Sequence, residues 1–202
     1  ARAIFGIDHP LAGSIVVEGK PLRVGHPRDA VRAGIALVPE DRKAQGAVLN
    51  LSLRDNVAMA GLNLWNRAGF VQDRMVQNKA EEAREALSIR TPNVRQLVAM
   101  LSGGNQQKVV LAKWMPLEPR IFLLDEPTRG IDVGSKGEIY EVIDKMTTGG
   151  AAVLAISSEL EEILRISDRV LVMHEGRIAG NVARDSELFT EEGIMQLATG
   201  GE

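Results

Sequence analysis

Two segments hold residue types at spacings suited to phosphate chemistry: Leu101-Ser102-Gly103-Gly104-Asn105-Gln106-Gln107-Lys108 and Ile121-Phe122-Leu123-Leu124-Asp125-Glu126-Pro127-Thr128. In the first, a serine and two glycines open a helix. Ser102 as N-cap leaves main-chain N–H groups free at the positive end of the helix dipole. That end can hold a terminal phosphate, with the serine hydroxyl as a further donor. In the second, four apolar residues make a short strand that ends in two carboxylates. At the carboxyl end of a central parallel strand, Asp125 can hold Mg²⁺ directly or through its waters. Glu126, one residue on, can orient and polarise an attacking water as general base. Taken singly, each segment has a plainer reading: helix capping for the first, a strand reaching the surface for the second.

The rest of the chain supplies the elements that must position such groups. Ser14-Ile15-Val16-Val17-Glu18, a Gly19-Lys20 turn and Pro21-Leu22-Arg23-Val24 predict a hairpin. Residues 26–33 predict a short helix with Pro27 near its start and Gly34 just past its end. Ile35-Ala36-Leu37-Val38 predicts a buried strand closed by Pro39. From Leu53 to about Trp114 the pattern turns helical, with loops expected at 61–69 and 90–93. Val76, Ala80, Ala83 and Leu87 repeat at helical spacing. After Pro119, strand and helix alternate: strand 121–124, helix 135–146, strand 152–156, helix 159–166, then a hairpin around Glu175-Gly176. Apolar strands alternating with amphipathic helices predict an α/β fold, its mostly parallel sheet covered on both faces. Residues 1–51 and 115–202 are read as the α/β core and 52–114 as an inserted helical subdomain.

Composition narrows the function. A chain of 202 residues, 45% hydrophobic, can bury a proper core. A formal charge of −3 gives no global pull toward nucleic acid or anionic membrane. Without cysteine there are no disulfides, thiolate zinc sites or cysteine nucleophiles. No apolar run approaches the roughly 18–20 residues of a membrane span, so a soluble, cytoplasmic chain is expected.

The octet 101–108 resembles the signature motif of ABC ATPases, in the form typical of bacterial monosaccharide importers. Ile121 to Glu126 is similar to the family's Walker B strand with its catalytic glutamate, in the usual order and at approximately the usual spacing after the signature. The resemblance spans essentially the whole chain and is closest to the second, C-terminal nucleotide-binding domain of ribose-, galactose- or xylose-type importers. It implies a P-loop NTPase core that carries an inserted helical subdomain and short antiparallel hairpins. Domains of this family work as head-to-tail pairs. Ser102, Gly103, Gly104 and Gln106 would therefore contact ATP held by the partner domain, in trans. Asp125 would serve Mg²⁺ and Glu126 would be catalytic, both at the other site. Thr128-Arg129-Gly130-Ile131-Asp132 resembles the D-loop, a role carried over to Asp132 only. Its plain reading is a turn whose aspartate starts a helix.

Three departures from the family pattern qualify that expectation. Glu40, in Val38-Pro39-Glu40, stands where a glutamine normally contacts metal and water; as a carboxylate it is kept as a metal candidate. Ser158 stands at the switch position, normally histidine; it can donate to a phosphate but cannot titrate near neutral pH. With Glu161 it equally fits a capping box. No G-x-x-x-x-G-K-[ST] occurs, so the chain is expected to begin inside its domain and to bind ATP poorly alone. The resemblance thus implies an ATPase that couples MgATP hydrolysis to sugar uptake as part of a full subunit, peripheral on the inner face of the membrane. Its partners would be a second nucleotide-binding domain, integral-membrane permease subunits and, indirectly, a periplasmic sugar-binding protein, with no nucleic acid. The rivals are a non-transport ABC ATPase acting on ribosomes or nucleic acid, and an inert fragment. Trp65, Phe70 and Val71, within 61–71, are read as local core ahead of a surface that receives a permease helix.

Overall fold

The computed structural model describes residues 1–67 and 69–200, with Arg67 described by its main chain alone. Ala68, from the expected 61–69 loop, and Gly201 and Glu202, at the end of the expected core, lie outside the described residues. The chain divides into two units, Ala1–Ile156 and Ser157–Glu202.

In the first unit, β1 (Ile15–Val17) and β2 (Lys20–Leu22) form an antiparallel hairpin, Ile15 opposite Leu22. Helix α1 (Pro27–Arg32) starts at His26. The imidazole Nδ1 accepts from the Arg28 N–H at 3.1 Å, and Asp29 accepts from the His26 N–H at 3.1 Å. Gly34 then takes a left-handed conformation and turns the chain into β3 (Ile35–Val38). A π-helical turn follows (Arg42–Gly46). Helix α2 (Leu53–Trp65) is capped by Ser52, whose hydroxyl accepts from the Asp55 N–H at 3.1 Å.

Helix α2 runs through Gly61, where the sequence predicts a loop. A Cβ at Gly61 would lie 2.6 Å from the Trp65 indole, so this glycine makes room for the ring one turn on. Trp65 is 3% exposed as a result. A two-residue-stranded hairpin, β4 (Asn66–Arg67) with β5 (Phe70–Val71), reverses the chain into α3 (Asp73–Ala86). Val76, Ala80 and Ala83 bury the face that their spacing predicts. Then come α4 (Gly103–Ala112), β6 (Ile121–Asp125), α5 (Val133–Thr148) and β7 (Ala152–Ile156).

Strands β3, β6 and β7 make a parallel sheet in that order, with Leu37 beside Leu123 and Asp125 beside Ile156. Every residue of β3 is buried, as are Phe122, Leu123 and Leu124 of β6. Phe5, Ala30, Ile35, Leu37 and Leu123 form a core cluster, with Trp114 packed against it edge-on to Phe5 at 5.9 Å. Removing such leucine and isoleucine side chains from water stabilises the sheet by about 1.5–3 kcal/mol each. Strand β7 departs from the expected two-sided cover. Helix α5 packs against it, yet Leu154 and Ile156 on alternate positions are each 39% exposed.

The second unit is a hairpin backed by two helices. Helix α6 (Leu160–Ile166) leads into β8 (Arg169–His174) and β9 (Arg177–Ala183), and α7 (Glu191–Ala198) follows. Glu175 and Gly176 both have positive φ, the conformation a tight two-residue hairpin turn requires. Val170, Val172, Val182 and Ile194 form the core, with Leu160, Ile163, Phe189 and Leu197 packed on it. Strand β9 extends to Ala183, because its pairing with β8 continues to Arg169.

Candidate functional site

Helix α4 begins where the serine and glycines place it. Ser102 has extended backbone (φ −61°, ψ 159°) and caps the helix. Its hydroxyl accepts from the Asn105 side-chain amide at 2.9 Å and, more weakly, from the Asn105 N–H at 3.4 Å. The Asn105 side-chain oxygen in turn accepts from the Arg90 N–H at 2.8 Å. Ser102 remains exposed at the positive end of the helix, whereas Gly104 in the first turn is buried.

The glycines are there for close approach. A Cβ on Gly104 would fall 2.8 Å from the Ser135 Cβ, and one on Gly103 would fall 3.1 Å from an Arg42 guanidinium nitrogen. The start of α4 is thereby pressed against the start of α5. Asp132 caps α5, its carboxylate accepting from the Ser135 N–H at 3.0 Å, as the plain reading of that residue predicts. Residues 102–104 and 128–132 form one cluster.

Gln106 does not open outward. It is 8% exposed, and its amide donates to the carbonyls of Val98 (3.3 Å) and Leu101 (3.0 Å). The side chain braces the segment that leads into α4 rather than presenting itself to solvent. Lys108, at 2% exposure, donates to Glu138 Oε2 at 2.7 Å and to the Ser88 carbonyl at 3.1 Å. Arg90 donates to the other Glu138 oxygen at 2.7 Å. The hydrogen bond from Lys108, with the nearby Lys108 and Arg90 charges, holds the Glu138 carboxyl below the usual carboxylate range.

Asp125 and Glu126 stand at the carboxyl end of β6, both half-buried. Glu126 has left-handed backbone (φ 48°), and its N–H donates to the Ile156 carbonyl at 2.8 Å while its own carbonyl accepts from Arg129 at 3.1 Å. Holding a non-glycine residue there costs roughly 1–3 kcal/mol, the kind of strain that gathers at functional sites. Glu40 follows the end of β3 and forms an ion pair with Arg129, so its carboxylate is engaged by a residue of the 128–132 loop. Among the described residues, no group of three or more His, Cys, Asp or Glu side chains is gathered to hold a metal ion. The carboxylate oxygens of Asp125 would suit a hard cation such as Mg²⁺, which commonly takes one or two carboxylates and completes its shell with water and phosphate.

Ser158 lies in the second unit, exposed, ahead of α6. The cap position of the following helix falls on Glu159 and not on Ser158, which departs from the expected capping box with Glu161. Ser157 instead accepts from the Glu159 N–H at 3.0 Å, a local serine turn that competes with the box. Of the residues read as core at 61–71, Trp65 is buried, whereas Phe70 and Val71 are 79% and 46% exposed.

Sequence reasoning missed Arg42. Its guanidinium donates to the Arg129 carbonyl at 2.7 Å and to the Gly130 carbonyl at 3.0 Å, contacts that span 87 and 88 positions. Nothing local in the Pro39-Glu40-Asp41-Arg42 segment signals such a reach. Glu138 was missed for the same reason, its bond to Lys108 spanning 30 positions.

The chain resembles known proteins over nearly its whole length. The family model described as ABC transporter matches residues 1–129. A putative ribose/galactose/methyl galactoside import ATP-binding protein of Geobacillus kaustophilus is 48% identical over 199 residues, which are 98% of this chain and 39% of that protein. The ribose import ATP-binding protein RbsA of Lactococcus lactis subsp. lactis is 44% identical over 201 residues, 100% of this chain and 40% of that protein. The chain thus spans about two fifths of the length of these curated relatives. Among solved structures, the ADP conformation of MJ1267, an ATP-binding cassette of an ABC transporter, has a TM-score of 0.76 at 21% identity, covering 96% of this chain and 76% of that one. A second structure of MJ1267 reaches 0.82 at 18% identity, covering 98% and 81%. At these identities the structures speak for the fold alone.

Proposed function

The chain belongs to the ABC transporter family, and from that premise we propose that it is a nucleotide-binding domain, the carboxy-terminal one of its subunit, in a sugar importer that couples MgATP hydrolysis to uptake. The observation that carries this reading is the octet 101–108 folded as a capped helix whose exposed serine opens outward, in a chain 44–48% identical to ribose- and galactose-type import ATP-binding proteins. In this reading residues 52–114 are the helical subdomain, and the α/β remainder is the core that holds it. No helix among the described residues is long and apolar enough to cross a membrane. Attachment to the inner face of the membrane through permease subunits follows from the proposed partnership, with a sugar-binding protein engaged indirectly.

The mechanism divides between two sites. The first-turn N–H groups of α4 and the Ser102 hydroxyl would meet the terminal phosphate of ATP held by a partner domain. A helix N-terminus carries about half a positive charge there, and its donors need no reorganisation. Gly103 and Gly104 let that end sit close to the 128–132 loop, and Gln106 braces it from behind. Asp132 would cross toward the partner from its position at the start of α5. On the chain's own side, Asp125 would hold Mg²⁺ together with phosphate oxygens and water, and Glu126 would orient the attacking water. When bound, Mg²⁺ neutralises charge that develops on the phosphates. Glu40 is already engaged by Arg129. This second site is therefore the weaker or regulatory one.

A ribosome- or nucleic-acid-acting ATPase would share the signature and the Walker B strand. The acidic balance of the chain favours the importer. Reconstitution of the full subunit with its permease in liposomes separates the two. Sugar uptake should require MgATP inside and the subunit together. Uptake unaffected by omitting the subunit, alongside salt-sensitive binding of RNA, would favour the rival.

A further inference from the structure

Arg42 joins three segments that the proposed mechanism treats separately. It opens the π-helical turn two residues after Glu40, where Asp41 fixes the backbone by accepting from the N–H groups of Lys43 (2.9 Å) and Ala44 (3.0 Å). Its two terminal nitrogens donate to successive carbonyls, Arg129 at 2.7 Å and Gly130 at 3.0 Å, in the loop between Glu126 and Asp132. The same guanidinium fills the space beside the first residue of α4, where a Cβ on Gly103 would come within 3.1 Å of it. The turn itself is pressed on the signature helix. A Cβ on Gly46 would meet Val110 of α4 at 2.9 Å and the Arg42 Cβ at 3.2 Å. Within this packing the Arg42 Nε is buried without a hydrogen-bond partner, so the side chain is held by its two terminal nitrogens alone.

We infer that Arg42 is a positioning residue for the reaction proposed above, holding the 128–132 loop in register with the start of α4 so that the two sites move as one. The inference rests on that reading of the site. The loop links Glu126, which serves the chain's own nucleotide, to Asp132, which packs beside the helix that serves the partner's. A fork that grips two consecutive carbonyls of the loop while filling the space beside Gly103 couples these ends sterically and by hydrogen bonding. A lysine there keeps the charge but cannot donate to both carbonyls in one planar geometry.

The test uses the full subunit with Arg42→Met and Arg42→Lys. Hydrogen–deuterium exchange should accelerate by about tenfold at 128–132 and at 102–106 together in both variants, since both segments lose one shared restraint. In steady-state hydrolysis kcat should fall about tenfold with KM for MgATP within about twofold of wild type, because the geometry lost is that of the closed transition state. Faster exchange confined to 42–46 would overturn the inference. So would wild-type kcat in Arg42→Lys, which would reduce the residue to its charge. A kcat loss that disappears on cooling in step with recovery of folded protein would also overturn it. A wild-type subunit without MgATP hydrolysis would instead sink the functional reading, and the exchange measurement would still decide the coupling.

Discussion

At Lys113 an ammonium group is held largely out of water. Its Nζ donates to the Gly46 carbonyl and lies 5.4 Å from the centre of the Trp114 ring. Burial pulls its pKa from 10.5 down to about 8. Because the folded-state value is the lower one, the unfolded chain binds more protons between about 8 and 10.5, and stability must rise with pH across that window. Below pH 8 the cost of the buried charge is fully present. Relative to Lys113→Met, the wild-type protein should gain about 2 kcal/mol of unfolding free energy between pH 7 and pH 9.5. Denaturant titrations of both proteins at the two pH values check this, and a constant difference would contradict it. Lys108 handles the same problem by pairing with Glu138. Neither arrangement was legible in the sequence. Lys108 was visible as the last letter of a motif, but its partner lies 30 positions away on another helix. Lys113 carries no motif at all.

Among elements, those whose reasons are local were the readable ones. Strands β3 and β6 are short apolar runs bounded by turns, and α3 shows its buried face at helical spacing. What escaped had reasons elsewhere in space. Helix α2 ignores the glycine that suggests a stop, because Trp65 packs over it. The π-helical turn at 42–46 has no periodicity to betray it and is held from its flank by the contacts of Arg42. The join between α4 and α5 is the most consequential such case, with Glu138 of α5 binding Lys108 of α4 and Arg90 of the loop that follows α3. Since the Glu138 carboxyl is held below its usual range, its contribution is present above the unfolded value and lost as pH falls through the folded one. Glu138→Gln should therefore lower stability at pH 7 and flatten its acid dependence. Thermal unfolding from pH 7 to pH 3 would show the two proteins converging as Glu138 protonates. Parallel curves would mean the pair contributes nothing that titrates.

For the molecule as a whole, the sequence carried the family, because the octet and the Asp-Glu strand on which the resemblance rests are each contiguous. It could not show that Gln106 turns inward, that Glu40 is engaged by Arg129, or that Arg42 ties the loop to the signature helix. Those contacts sharpen the proposed division of labour, in which this chain lends an intact helix end to a partner's ATP and keeps an altered site for itself. Steady-state MgATP hydrolysis by the full subunit, compared for wild type, Ser102→Arg and Glu126→Gln, tests that division most directly. The account predicts a loss of more than about tenfold for Ser102→Arg, where a donor is replaced by a bulky side chain, and less than about threefold for Glu126→Gln. Near-complete loss in Glu126→Gln with full turnover in Ser102→Arg would contradict it.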